Sequence, residues 1–104
     1  MIPVILEYPY GGDVMANVEY AQKCMHDCLM RGEAPYASHL LYTQPNILDD
    51  LNPEERKLGM EAGFEWGKLA EKVVVYIDRG ISEGMKLGIE NAIKNGKEIE
   101  YRTL

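Results

Sequence analysis

Apolar positions along the chain alternate between short continuous runs and helical spacings. Ile2, Val4, Ile5 and Leu6 form a near-continuous run, which predicts a strand over Met1 to Glu7 buried on both faces, as in a parallel sheet. Tyr8-Pro9-Tyr10-Gly11-Gly12 stops it with turn residues, and Asp13 stands where a helix cap belongs. Val14, Val18, Ala21, Met25, Cys28 and Leu29 then recur at helical spacing up to Gly32. Ala34 to Ala37 reads as a second strand, and Leu40 to Leu51 as a long loop holding Pro45, Asp49 and Asp50. Asn52-Pro53-Glu54-Glu55 combines an N-cap asparagine, a first-turn proline and a capping-box acid, so a helix is predicted from there to about Lys72. Val73 to Ile77 is the clearest buried strand. Asp78 to Ile81 is a loop, Ser82 caps a last helix ending at Asn95-Gly96, and Lys97 to Tyr101 is a fourth strand.

Strict strand–helix alternation predicts an α/β fold: a flavodoxin-type, Rossmann-like three-layer sandwich with helices on both faces of a parallel sheet. Right-handed crossovers and short loops favour four parallel strands in the order 2-1-3-4. With 104 residues, no internal repeat and no linker, residues 1–104 read as one domain. In such sheets ligands bind outside the carboxyl ends of the strands, at the switch between strands one and three. That rule singles out Tyr8 to Gly12, Ser38 and His39, and Asp78 to Met85.

Charge narrows the partners. Eleven basic residues against 17 acidic ones give a formal net charge of −6, which argues against nucleic acid. No apolar run is long enough to span a bilayer and no signal peptide is recognisable, so a cytoplasmic location is expected. Cys24 and Cys28 lie four apart on one helical face, a spacing that strains a disulfide. His26 points away from them, so the segment reads as buried core thiols; neither a metal nor a cofactor is expected.

Several segments carry candidate chemistry. Asp78-Arg79-Gly80-Ile81-Ser82-Glu83-Gly84-Met85 joins a buried strand to a helix N-terminus, where free amides and the helix dipole favour phosphate, carboxylate or sugar hydroxyls. It lacks the full dinucleotide fingerprint and the P-loop lysine. Tyr8, Pro9, Tyr10, Gly11 and Gly12 are expected beside it, with the tyrosines able to stack on a base. His39 leaves the second strand at the same edge and could serve as an acid, base or ligand. Gly59, Gly63 and Gly67 form a stripe on one helix, with Trp66 beside it. Close packing against a second copy, giving a homodimer or larger assembly, is expected there; close packing within the chain is the competing reading.

Taken together, Glu7-Tyr8-Pro9-Tyr10-Gly11-Gly12-Asp13, Ser38-His39-Leu40-Leu41, Asp49-Asp50, Ile81-Ser82-Glu83-Gly84-Met85 and Asn95-Gly96-Lys97 resemble the nucleoside 2-deoxyribosyltransferase-like family. The likeness is to its small branch found in phages and prophages. The resemblance implies a nucleoside or nucleotide ligand at the carboxyl edge, and an active site often completed by a neighbouring subunit. It also implies cleavage of an N-glycosidic bond by a glutamate of the last helix, oriented by a first-strand tyrosine. Counted from Gly84-Met85 or from Gly96-Lys97, that glutamate's place falls on Gly88, which has no side chain. Glu90 is about 200° further round the helix. Tyr8, Tyr10, Asp78 and Ser82 match ligand-contacting regions. The expectation is a pocket that holds a nucleotide-type molecule without turnover; by analogy, a phage protein of this kind would act in anti-defence, sequestering an immune signal such as a cyclic ADP-ribose derivative. The alternative is an N-glycosidase or deoxyribosyltransferase using a displaced carboxylate, Glu83 or Glu7.

Overall fold

A computed structural model describes residues 1–104. Strand β1 (Ile2–Glu7) leads into α1 (Val14–Met30), then β2 (Glu33–Tyr36), a short α2 (Ser38–Tyr42), α3 (Pro53–Gly67), β3 (Lys72–Tyr76), α4 (Glu83–Lys94) and β4 (Glu98–Arg102). The strands form one sheet in the order β2-β1-β3-β4, and every pairing is parallel. This is the architecture expected from the alternation. Local boundaries differ in three places. The Leu40–Leu51 loop begins with α2, which its Ser38-His39-Leu40 start supports without a side-chain cap. The third helix stops at Gly67 rather than near Lys72, because Lys72 already belongs to β3. Each of the last three strands is displaced by about one residue.

The period-two alternation of a strand decides which side chains meet which helices. On one face Val4, Leu6, Tyr8, Val74 and Tyr76 pack against Tyr20, Ala21, Cys24 and Cys28 of α1. Both cysteines are free and buried there, as core thiols. On the other face Val73, Val75 and the partly buried Ile5 and Ile99 pack against Met85, Ala92 and Ile89 of α4. Glu7 has the parity of Ile5, so it projects to the α4 side. Caps fix the helix starts: Asp13 accepts from the Ala16 amide at 3.2 Å, and Asn52 from those of Glu54 and Glu55 at 3.0 and 3.3 Å.

Beneath α1 the sheet also holds a charged cluster. The Arg102 guanidinium reaches across to Glu33 in a bidentate pair, one arm at 2.7 Å, with both side chains 5% exposed. Lys72 sits 3.3 Å from Glu33 and 2.9 Å from Glu100, and Arg102 also meets Glu100. The hydrogen bond from Arg102 and then that from Lys72 hold Glu100 down at about 2, and Arg102 likewise keeps Glu33 below the usual carboxylate range. Removing Arg102 leaves Glu33 and Glu100 to share a single cation, Lys72. Arg102→Ala is therefore expected to lower unfolding stability by about 3–5 kcal/mol in urea titrations.

Candidate functional site

The face of the sheet that carries Glu7 is only partly covered. Helices α3 and α4 enclose a cavity of about 380 Å³ between themselves and the ends of β1 and β3. Glycines make the room: Gly63 and Gly67 of α3 and Gly84 and Gly88 of α4 all line it. Met60 and Phe64 give it an apolar wall, with Ile5 and Val73 at the sheet.

The α3 glycine stripe thus faces the chain's own interior. An added Cβ at Gly59 would meet Leu48 at 3.2 Å, at Gly63 it would meet Ser38 at 3.4 Å, and at Gly67 Asn91 at 3.7 Å. This favours the competing reading, close packing within the chain, for Gly59, Gly63 and Gly67. Trp66 lies on the outer side, half exposed, and donates its indole N–H to the Tyr42 hydroxyl at 3.2 Å.

Glu7 is the unusual wall residue. Its carboxyl lies at the end of β1, partly exposed to the cavity, against Gly88: an ideal Cβ at Gly88 would lie 2.2 Å from Glu7 Oε2 and 2.5 Å from its Cδ. No hydrogen bond or opposite charge compensates it, and burial alone pushes its pKa from 4.5 up to about 8. The carboxyl is therefore mostly protonated at neutral pH.

The rim is aromatic and titratable. The Tyr10 and His39 rings stack at 4.4 Å, 8° from parallel. Tyr10 donates to Thr43 Oγ1 at 3.0 Å, and the His39 amide donates to the Tyr8 hydroxyl at 3.1 Å. Asp50 from the following loop reaches 3.6 Å from His39 Nε2. Burial lowers the His39 pKa, the Asp50 carboxylate raises it and the Arg56 cation lowers it; the balance lies below the ordinary value and favours neutral imidazole. At the start of α4 the Ser82 hydroxyl accepts from the Met85 amide at 3.2 Å, so it already serves as the cap.

Most of the sequence-predicted residues meet here. Tyr8, Pro9, Tyr10, Gly11, Ser38, His39, Ser82, Glu83, Gly84, Met85 and Gly88 all line the cavity, as does Glu7. Tyr8 contributes little surface, because its parity turns the ring into the α1 core, where it is 5% exposed. Glu83 stands at the mouth, 87% exposed and paired with Lys86 at 3.0 Å.

Gly12, Asp78, Arg79 and Gly80 are outside the lining. Asp78 accepts from the Tyr20 hydroxyl at 2.6 Å and from the Leu104 amide at 3.0 Å. Arg79 lies over the Tyr20 ring and donates to Asn17 at 3.3 Å. Asp78 and Arg79 turn toward α1 and fasten the β3–α4 loop to it, away from the cavity.

The lining also includes Asp50, from the Asp49-Asp50 segment, and Tyr36, Arg56, Met60, Phe64 and Asn91, which the sequence did not single out. Met60, Gly63, Phe64 and Gly67 follow helical spacing, so one inward face was legible as a pattern. Its direction was not.

The sign of the Glu7 shift gives a stability test. A carboxyl with a raised folded pKa stabilises the fold relative to the unfolded chain below about 4.5, and that contribution is lost as pH rises toward about 8. His39 titrates in the opposite sense within part of this window, so the comparison is between wild type and Glu7→Gln. The variant is expected to be more stable than wild type by several kcal/mol at pH 8 and by much less at pH 4.5, measured by urea unfolding at both values.

Residues 3–102 match the family described as a domain of unknown function (DUF7768), and the chain belongs to that family. A search of the curated proteins finds no match. Among solved structures, the chain is similar to a 2-deoxyribosyltransferase from the psychrotolerant bacterium Bacillus psychrosaccharolyticus. The two share 16% sequence identity and a TM-score of 0.67, over 97% of this chain and 72% of that one. At that identity the likeness is one of fold.

Proposed function

We propose that this DUF7768 member binds a nucleoside- or nucleotide-type small molecule in the cavity between α3, α4 and the carboxyl ends of β1 and β3. The observation that carries this reading is the cavity itself. Its volume of about 380 Å³ lies in the range of small-ligand sites, and apolar walls surround a few inward polar groups, Glu7, Tyr36, Ser38 and Asn91. Its position at the switch between β1 and β3 is where parallel sheets of this kind hold ligands. The deoxyribosyltransferase fold supports the choice of a nucleoside class.

The base or sugar would lie against Phe64 and Met60, with the Tyr10–His39 stack at the entrance. One face of Tyr10 is already covered by His39, so the ring offers at most its other face. The amides at the start of α4 and the Arg56 guanidinium near Gly84 favour a hydroxyl- or phosphate-bearing end at the mouth.

Holding without turnover was expected because residue 88 has no side chain. Glu7 fills that space from the opposite wall. This observation favours the second reading, cleavage with a displaced carboxyl, and it favours Glu7 over the exposed Glu83.

Calorimetry of the full chain against nucleosides, their 5′-monophosphates and ADP-ribose-type compounds tests the binding reading. At least one is expected to bind, and Gly88→Leu, whose side chain would push the Glu7 carboxyl into the cavity, is expected to weaken that binding by tenfold or more while the variant still unfolds cooperatively in urea. A panel without any binder, or a binder indifferent to Gly88→Leu, would remove the assignment.

A further inference from the structure

We propose that the cavity ends in a second, anion-binding subsite at the amino edge of the sheet, formed by Asn91, Asn95 and Lys97, and that its ligand is a nucleoside carrying a phosphate at each end. The inference rests on the nucleoside reading of the cavity and deepens it by naming the class of nucleotide.

The first observation is length. Helix α4 starts at the carboxyl edge and runs back along the sheet, and its 12 residues cover about 18 Å. The cavity follows it from Glu83 and Gly84 in the first turn, past Gly88 and Asn91, to Asn95 beyond the last turn and Lys97 just before β4. Helix α3 borders the same span, from Arg56 in its first turn to Gly67 at its end. The sheet also contributes at both levels, with Glu7 at the carboxyl end of β1 and Val73 near the amino end of β3. A single nucleoside lying against Met60 and Phe64, with its phosphate at the mouth, is shorter than this and leaves the amino-edge end empty.

The second observation is charge. The chain has 11 basic residues and a net charge of −6. Lys23, Arg31, Lys68, Lys72, Lys86 and Arg102 each have a carboxylate within 4.0 Å. The two basic residues that line the cavity are not among them. Arg56 stands at the mouth beside Gly84, and Lys97 at the opposite end. Lys97 is half-buried, and its ammonium donates to the Lys68 carbonyl at 2.9 Å, a neutral acceptor that fixes the side chain without cancelling its charge. Asn91 and Asn95 bring amide groups to this end. Asn91 Nδ2 lies 3.7 Å from where a Cβ on Gly67 would stand, so its amide is turned toward α3 across the cavity. A cation flanked by amide donors suits a phosphate.

None of the three acids of the lining stands at the amino-edge end. Asp50 is at the rim, 3.6 Å from His39, and Glu83 is at the mouth, paired with Lys86 at 3.0 Å. Glu7, at the end of β1, is kept mostly protonated at neutral pH by desolvation. An anion at Lys97 therefore meets no fixed negative charge. Two cations at opposite ends of one cavity match two phosphates separated by a nucleoside, a class that runs from nucleoside 3′,5′-bisphosphates to 5′-phosphorylated dinucleotides.

The test is calorimetry on the full chain with adenosine, guanosine, cytidine and uridine, their 5′-monophosphates, their 3′,5′-bisphosphates and the matching 5′-phosphorylated dinucleotides. For the base that binds best, a two-phosphate compound is expected to bind about tenfold or more tightly than the 5′-monophosphate, with the gap shrinking as salt rises. Lys97→Gln is expected to bring the two to nearly equal affinity, and Lys97→Arg to keep the preference. Amide NMR spectra of the wild type give the same answer without a variant: the two-phosphate compound is expected to shift the Asn95 and Lys97 signals and the monophosphate to leave them in place. A monophosphate that binds as tightly as every two-phosphate compound overturns the second subsite and leaves the nucleoside reading standing. A preference that survives Lys97→Gln, or two-phosphate binding without shifts at Asn95 and Lys97, overturns its placement at the amino edge. Equal weakening of both compounds by Lys97→Gln shows one anion site and overturns the two-ended ligand. No binding by any compound removes the nucleoside reading and this inference with it.

Discussion

The structure turns on a carboxylic acid that nothing in the chain neutralises. Glu7 ends a strand whose neighbours on the same face are apolar, and its carboxyl packs into the space left by a helix position that has no side chain. Desolvation of that group opposes folding whenever the carboxyl ionises. A fold that retains such a group keeps its proton. That constraint ties the glycine in α4 and the cavity beneath α3 to one another.

The contrast with the opposite face is instructive. Under α1, charged residues are also buried, but they are fully compensated: Arg102, Glu33, Lys72 and Glu100 form a closed cluster. Their pKa shifts move toward the charged forms, as paired groups do. Glu7 moves the other way. One sheet therefore carries two kinds of charge chemistry, a compensated network on one side and an unpaired acid facing the cavity on the other. The loop residues Asp78 and Arg79 belong to the α1 side, bonding Tyr20, Asn17 and the chain's last residue. They position the β3–α4 junction from behind, leaving the cavity side to Glu83, Gly84 and Met85.

The layer order was legible in the sequence because the strands and the three long helices carry clear local signals, which the short α2 lacks. Val73 to Ile77 can only be a buried strand, and Asn52-Pro53-Glu54-Glu55 can only begin a helix. The rule that ligands gather at the strands' carboxyl ends then located the cavity without further detail. What stayed hidden is geometry between elements. The glycines of α3 reveal a close approach but not its partner, and the partner proves to be Ser38, Leu48 and Asn91 of the same chain. Glu7 could be named as a conceivable carboxylate, but its pairing with Gly88 joins residues 81 positions apart and no spacing rule connects them. The turn of Asp78 and Arg79 toward α1 depends on side-chain partners in Tyr20 and Asn17, which a loop composition does not disclose. Strand parity would have separated Tyr8 from Glu7, placing one in the α1 core and the other in the cavity.

The central claim is that Glu7 stays protonated in the folded chain because it is packed against Gly88 with no compensating partner. The most direct measurement is the titration of its side-chain carboxyl by carbon-detected NMR on the native protein, with Glu7→Gln identifying the resonance. The account predicts a midpoint near 8, far above the ordinary 4.5. A Glu7 carboxyl that ionises near 4.5 in the folded chain would contradict it.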